Sequence, residues 1–289
     1  MPQSDGKNEN QGKKTLGYDE YIALCTLGFE APVEQEMLRW YQQFHQVPGA
    51  RVRVSLDGAM DRVTWSAGGK WEDFSEPMLH YLQSFPLGPE GVGLVNDALD
   101  RFNPEGIGMS IAAVRDVFEL GWYIPDRLPL HGLTDWAGFP EPEMLKRWAD
   151  RYGIGQIENL GASFGSDQIR ECCIPVAGEP PQKSLETGLL LFRYLGLPYP
   201  PDKILSVLTN SQYSGVAAAL WFTPRQVIKV GIRLKDPDTY MVVGCGSELG
   251  LDLDKIALFE GVMSSSGASE LEIELLGAEE FKLVLHYGG

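Results

Sequence analysis

The sequence has few cysteines, no long apolar run and no excess of positive charge. Its four cysteines are Cys25, Cys172, Cys173 and Cys245, and none has zinc-ligand spacing. We therefore expect reduced thiols in a cytosolic protein. The uninterrupted apolar runs are far shorter than the roughly 20 residues that cross a bilayer. A net charge of −16 argues against nucleic acid or an anionic membrane as partner, so any anion site must be a local basic cluster.

The common nucleotide and metal motifs are also missing from the sequence. It has no Walker A motif, its glycine-rich stretches lack GxGxxG spacing between a strand and a helix, and its four histidines do not form an HExxH motif. What it does have is 289 residues, of which 44% are hydrophobic and 10% aromatic, enough for a substantial core. The opening MPQSDGKNENQGKK carries no secretory pattern, and we expect residues 1–17 to be a disordered polar tail.

Helical and strand patterns alternate along the rest of the chain about five times. A long helix is predicted over 18–46, where Met37, Trp40, Tyr41 and Phe44 form one apolar stripe. Further helices are predicted near 75–84, 91–102, 141–152, 184–195, 201–208 and 253–263. Strand pairs are predicted near 51–56 with 62–67, 107–113 with 117–124, 155–162 with 168–175, 213–221 with 226–234, and 270–276 with 280–287.

Ten antiparallel strands in hairpins, each pair flanked by helices, predict one α+β domain over residues 18–289. We expect a closed ten-stranded antiparallel barrel ringed by helices, because an open sheet of that width would be unusual. An open sheet with helices on one face and water on the other would give the same alternation of polar and apolar residues. Alternation alone does not distinguish the two.

The strand faces indicate where a site could lie. In FELGWYIP, residues 118–125, one face is apolar and the other carries Glu119, Gly121 and Tyr123. The polar faces of the other strands carry Arg53, Lys229, Arg233, Lys282 and His286. If helices cover the apolar faces, the polar faces line the inside of a barrel wide enough for a ligand.

Several segments, in this order, resemble the soluble aromatic prenyltransferases of the αββα ("ABBA") barrel type. They are EMLRWYQQFHQVPG, RWADRYGIGQIENLGASFGSDQIRECCIP, SLETGLLLFRYLGLPYP with the following strand up to Lys229, and EEFKLVLHYG. The likeness covers most of the chain from about residue 18. Members of this family join an allylic diphosphate to an electron-rich aromatic ring inside the barrel.

The resemblance implies a set of site residues. Lys229 and Lys282 match diphosphate-binding positions, and Arg53 stands where the magnesium-independent branch carries a lysine. The implied diphosphate contacts are Arg53, Arg170, Lys229, Arg233 and Lys282. The implied aromatic shield and acceptor pocket comprise Tyr123, Tyr213, His286 and Tyr287. Thr64 replaces the aspartate of the magnesium-dependent members, so we expect no required cofactor and no metal ligands; magnesium would be optional.

The chain also departs from the family pattern. Glu119 occupies a position where some members carry a diphosphate-binding lysine, and Gly121 and Cys172 replace two shielding tyrosines. Indole-prenylating members place a glutamate against the indole N–H, which would make Glu119 the catalytic residue that orients the acceptor. Alternatively, Glu119 is a structural acid paired with one of the bases.

The resemblance implies a cytoplasmic, monomeric prenyltransferase of secondary metabolism. Its partners would be a dimethylallyl or geranyl diphosphate donor and an indole- or phenol-like acceptor, with no nucleic acid or membrane. A second hypothesis keeps the barrel without the prenyl donor, as a cyclase or binding protein for an aromatic metabolite. A third is a non-catalytic interaction protein built on an open sheet.

Overall fold

The computed structural model describes residues 42, 44, 47, 51–57, 63–82, 88–112, 118–130, 143–164, 169–176, 180–262, 267–276 and 280–288. The predicted tail over 1–17 lies outside these residues, as does nearly all of the predicted helix over 18–46. Gln42 and Phe44, which are described, are both helical.

All ten predicted strands are present, and every paired neighbour is antiparallel. Their bounds are β1 Arg51–Asp57, β2 Val63–Lys70, β3 Gly106–Ala112, β4 Phe118–Pro129, β5 Gln156–Phe164, β6 Arg170–Pro175, β7 Gly215–Phe222, β8 Val227–Lys235, β9 Glu270–Leu276 and β10 Glu280–Gly288. Strand β4 is longer than predicted because it continues past Pro125, with a shift of register between Tyr123 and Leu128.

Seven helices lie within the described residues. They are α1 Trp71–Leu82, α2 Gly88–Phe102, α3 Glu143–Tyr152, α4 Pro181–Tyr194, α5 Asp202–Asn210, α6 Thr239–Glu248 and α7 Leu253–Val262. Helix α6 was not predicted, since its sequence TYMVVGCGSE contains two glycines. Asp238 starts it by accepting a hydrogen bond from the backbone N–H of Met241 at 2.7 Å. None of the described helices is both long and apolar enough to cross a membrane.

The ten strands close into a barrel. Each strand pairs with its neighbours in the sequence, and β1 also pairs with β10, where Ser55 lies opposite His286. The prediction of a closed barrel is therefore confirmed, and the open-sheet alternative is wrong. Ten strands spaced about 4.8 Å apart and tilted by about 40° enclose a lumen roughly 20 Å across between backbones.

The helices cover the apolar faces of the strands. Gly188 of α4 packs so closely on β7 and β8 that a Cβ atom there would lie 3.3 Å from Ile232 Cδ1 and 3.5 Å from Val216 Cγ1. Neighbouring helices are tied together as well, because Trp148 Nε1 of α3 donates to the carbonyl of Thr187 in α4 at 2.8 Å. With the apolar faces buried outside the barrel, the polar faces point into the lumen.

Candidate active site in the barrel lumen

One part of the lumen wall, formed by β6–β10 and β1, carries an ion-paired cluster. Arg53 Nη1 lies 3.0 Å from Glu270 Oε2, and Lys229 Nζ lies 2.5 Å from Glu274 Oε1. Arg233 holds two acids, with Nη2 at 2.5 Å from Glu171 Oε1 and Nε at 3.0 Å from Glu272 Oε2. The ion pairs thus match three cations with four carboxylates. We call these seven residues the charged wall.

Three acids of the charged wall come from one strand and were missed by the sequence analysis. Glu270, Glu272 and Glu274 alternate with apolar residues in ELEIELL and therefore all face the lumen. The same period-two rule applied to residues 270–276 would have found them. These acids matter for ligand binding, because they neutralise the cations that the resemblance assigns to diphosphate.

Burial and neighbouring charges act differently on the three β9 carboxyls. Burial alone would raise the pKa of Glu272, but the charges of Arg233 and Lys229 and the hydrogen bond with His286 outweigh it and lower the pKa to about 2. At Glu270 burial also acts to raise the pKa, but the positive charge of Arg53 outweighs burial and the pKa is lowered. At Glu274, burial and the negative charge of Glu272 win over Lys229 and raise the pKa. Of these three, only Glu274 therefore becomes easier to protonate than an ordinary glutamate.

Trp221 of β7 presents its ring to the charged wall. Lys229 Nζ lies 3.5 Å from the centre of the ring, and Arg233 Cζ lies 5.6 Å from it. A cation over an aromatic face is stabilised by the negative potential of that face. Trp221 is half-buried and lumen-facing, and the sequence analysis did not single it out, although its alternation with Ala217 and Ala219 places it on the inner face.

The other part of the lumen wall is lined by small residues. Gly68, Gly108, Gly121 and Gly161 lie directly opposite one another on the successive strands β2, β3, β4 and β5. Glu119 lies in the next row, with Ser110 opposite it on β3 and Ser163 on β5. Because β4 is five strands from β9 in either direction round the barrel, Glu119 approaches the lumen from the side opposite the β9 glutamates.

Replacing each of two lumen glycines by alanine should have different effects on the stability of the protein. A Cβ at Gly231 would lie 2.8 Å from Glu272 Oε1 and 3.2 Å from the Trp221 ring, whereas one at Gly121 meets only the Leu160 carbonyl at 3.6 Å. We expect Gly231→Ala to lower the free energy of unfolding by about 1–3 kcal/mol and Gly121→Ala to leave it unchanged or slightly higher. Urea denaturation checks both, and equal effects would contradict the crowding at Gly231.

The structure brings most of the predicted site residues to the lumen. Arg53, Glu119, Lys229, Arg233 and His286 all lie on inner faces. Lys282 lies there too, opposite Glu274 in the strand register and half-buried. Tyr123 is also on an inner face, but 41% of it is exposed, which places it near the rim.

Three predicted site residues lie elsewhere, which corrects the expectation that they line the lumen. Side chains two residues apart on a strand share a face. Arg170 therefore lies on the outer face of β6 with Cys172, and Tyr287 lies on the outer face of β10 with Leu285. Tyr213 precedes β7 and is buried in the core, where burial and Glu186 of α4 raise the pKa of its hydroxyl.

The adjacent cysteines face opposite ways. Cys172 lies in the apolar core, so it does not occupy the lumen position that a shielding tyrosine would have. Cys173 faces the lumen, where its Sγ accepts a hydrogen bond from Arg233 Nη1 at 2.7 Å. Burial is the main cause that raises the pKa of both thiols.

Known proteins match this chain in fold but not in sequence. No known family profile matches the chain, and no curated protein matches it by sequence. The solved structures do match. The 5-dimethylallyl tryptophan synthase from Streptomyces coelicolor, solved in complex with DMASPP and Trp, has a TM-score of 0.61 at 9% identity, covering 95% of each chain.

Two further structures agree with this result. The prenyltransferase PriB in its apo form has a TM-score of 0.62 at 10% identity and 93% coverage of both chains. AnaPT from Neosartorya fischeri has a TM-score of 0.61 at 9% identity, with 93% of this chain and 91% of that chain covered. Similarity at such low identity extends to the fold. The chain therefore has the closed αββα barrel of the aromatic prenyltransferases, as the sequence resemblance implied.

Proposed function

We propose that this protein is an aromatic prenyltransferase, which transfers a dimethylallyl or geranyl group from its diphosphate to an indole- or phenol-like acceptor. The observation that carries the proposal is the placement of Arg53, Lys282, Lys229 and Arg233 on the inner faces of β1, β10 and β8, on both sides of β9, inside a closed barrel of this fold. A diphosphate needs several such cations, since charge-assisted hydrogen bonds are the strong ones.

The carboxylates of the charged wall shape how a diphosphate would bind. Without ligand, they pair with buried cations. Leaving such a cation unpaired would cost several kcal/mol. An incoming diphosphate has to replace them as the partner of each cation. Glu274 is the acid best suited to give way, because its raised pKa favours taking up a proton as the anion approaches Lys229.

Trp221 provides the aromatic surface that the donor requires. Ionisation of an allylic diphosphate leaves a positive allyl group, which an aromatic face stabilises by about 1–2 kcal/mol when water is excluded. Lys229 Nζ, 3.5 Å from the ring centre, shows that this face already binds a cation, and the allyl group would take that place once Lys229 turns to the diphosphate. Trp221 would thus act in place of the shielding tyrosine that the lumen lacks at Gly121.

The small-residue wall provides space for the acceptor. Glycines at four successive strands leave one row of that wall without side chains, and Glu119 projects from the next row. Glu119 would accept the N–H or O–H of the acceptor and orient its ring toward the allyl group. We propose that the reaction needs no metal, because the cations are supplied by the protein.

One observation favours a second candidate function. The four acids of the charged wall outnumber the three cations they pair with, which suits an aromatic metabolite bound without any diphosphate. Under this alternative the ion pairs stay intact during binding. The protein would then bind or cyclise its ligand within the same barrel.

A thermal-shift titration with dimethylallyl thiolodiphosphate, with and without magnesium, distinguishes the two functions. A ligand that binds only the native state raises the melting temperature. We expect a magnesium-independent rise that is lost in Lys229→Ala and kept in Lys203→Ala, whose surface pair with Glu248 spans 3.2 Å. No rise at millimolar ligand would reject prenyl transfer, and indoles and phenols alone would then be tested as ligands.

A further inference from the structure

Three side chains on adjacent strands form a hydrogen-bonded chain inside the lumen. Ser55 Oγ of β1 lies 2.8 Å from His286 Nδ1 of β10, and His286 Nε2 lies 3.4 Å from Glu272 Oε2 of β9. The side chain of Glu272 is 2% exposed and that of His286 is 12% exposed. Both ring nitrogens of His286 therefore have a partner, one a hydroxyl and the other a buried carboxylate.

The ionised carboxylate of Glu272 determines the direction of its hydrogen bond with His286. Glu272 is an ionised carboxylate, held so by Arg233, and an ionised carboxylate only accepts hydrogen bonds. The 3.4 Å contact of His286 Nε2 with Glu272 is then a hydrogen bond donated by the ring, which in the Nε2–H tautomer leaves Nδ1 as an acceptor. The Ser55 hydroxyl donates to Nδ1. Among the residues that the structure describes, none donates a hydrogen bond to the Ser55 oxygen, so its lone pairs can accept a proton from a molecule in the lumen.

We propose that Ser55, His286 and Glu272 form a proton relay that takes the proton lost by the aromatic acceptor. The inference rests on the proposed function for the identity of the substrate. Ser55 is the catalytic residue, because its oxygen touches the acceptor, while His286 and Glu272 act through it. The arrangement follows the logic by which a histidine, oriented by a carboxylate, activates a hydroxyl.

The step balances without a further reagent. As the acceptor ring attacks, a bond forms between the ring carbon and the allylic carbon, and the bond from the allylic carbon to the diphosphate oxygen breaks. The ring carbon then loses its proton to Ser55 Oγ, and the electron pair of that C–H bond restores the aromatic ring. At the same time the Ser55 hydroxyl proton moves to His286 Nδ1. Glu272 stabilises the resulting imidazolium, which later releases the proton to water.

The relay has an advantage over the other acids nearby. Glu171 and Glu270 are each held by a cation of the charged wall, so a proton placed on either would weaken an ion pair, and Glu274 takes up its own proton when the diphosphate displaces it from Lys229. His286 instead gains a favourable charge interaction with Glu272 when it is protonated. A proton on His286 therefore strengthens an existing contact, whereas a proton on Glu171 or Glu270 weakens one.

Imidazole NMR of histidine-labelled protein tests the relay without any substrate. The chain has four histidines, and His286→Gln identifies the signal of interest. We expect His286 to be a single Nε2–H tautomer, and Ser55→Ala and Glu272→Gln each to shift it toward a tautomer mixture. Ser66→Ala, a lumen-facing serine on the neighbouring strand β2, is the matched control and should change nothing. An Nδ1–H tautomer, or one unaffected by Glu272→Gln, would overturn the relay.

Turnover provides the second readout. General acid–base groups contribute typically 10²–10⁴-fold, so we expect Ser55→Ala and His286→Gln to lower kcat about a hundredfold with little change in KM. Ser66→Ala should keep the wild-type rate. Full activity of His286→Gln would reject the relay. If the wild-type protein transfers no prenyl group to any acceptor, the proposed function fails, while the tautomer measurement still decides whether the relay exists.

Discussion

Replacing Arg233 by alanine is expected to lower the free energy of unfolding by about 3–5 kcal/mol, as for other broken buried ion pairs. Arg233 compensates Glu272, whose side chain is 2% exposed, and also binds Glu171 and the Cys173 thiol. Its loss leaves a buried carboxylate without its main counter-charge. Urea denaturation at pH 7 measures the effect.

A surface arginine provides the matched control for Arg233→Ala. Arg147 lies 2.5 Å from Glu143, but their side chains are 61% and 74% exposed, and such pairs contribute little. Arg147→Ala should leave the denaturation midpoint within error. Similar losses from the two variants would show that the lumen pair is not buried in solution.

The ion pair between Arg233 and Glu272 gives the stability of the wild-type protein a defined pH dependence. The pKa of Glu272 is about 2 in the folded protein and about 4.5 as a reference, so its ionised form favours folding. This stabilisation is complete above pH 4.5 and is lost as the pH falls toward 2. In Arg233→Ala that part of the acid sensitivity should disappear.

Glu274→Gln is expected to tighten the binding of dimethylallyl thiolodiphosphate by about tenfold or more. Glu274 neutralises Lys229 at 2.5 Å, and one unit charge a few ångströms away is worth about 2–4 kcal/mol at an effective dielectric constant near 20. Glutamine keeps the shape and still accepts a hydrogen bond from Lys229, but it removes the charge that repels the diphosphate. Isothermal titration calorimetry without magnesium measures the change.

The wild-type protein should show the same effect as its pH is lowered. Because burial and Glu272 raise the pKa of Glu274, acid protonates this carboxyl and should strengthen diphosphate binding, whereas Glu274→Gln should lose that pH dependence. Glu248→Gln, which removes the acid of the surface pair with Lys203, is the control and should bind as the wild type does. Unchanged or weaker binding by Glu274→Gln would mean that Glu274 helps to place Lys229 for the ligand.

The local pattern of the sequence was sufficient for most secondary structure. Alternation in FELGWYIP and in EFKLVLHYG predicted which side chains of β4 and β10 share a face, and the register confirms it for Glu119 and His286. Helix α6 was missed, since its glycines disfavour a helix locally and its Asp238 cap was not recognised.

The resemblance transferred residues less well than elements. Arg170 was matched by its order along the chain, and Tyr287 was included as a tyrosine near the replaced ones in sequence, but one position of shift along a strand moves a side chain to the other face. The resemblance therefore placed two outward-facing residues, Arg170 and Tyr287, in the lumen, and it did not point to Trp221 or Glu272.

The sequence by itself determined the strands, the helices between them and the two faces of each strand, because these depend on spacing between near neighbours. Closure was decided only by the tertiary structure, since β1 and β10 meet across more than 200 residues, as Ser55 and His286 show. The pairing of each lumen cation with a particular glutamate depends on that closure, and so does the chain from Ser55 to Glu272. The ion pairs and the hydrogen-bonded chain have the same physical reason, because the register between strands remote in sequence sets which charges share the low-dielectric lumen.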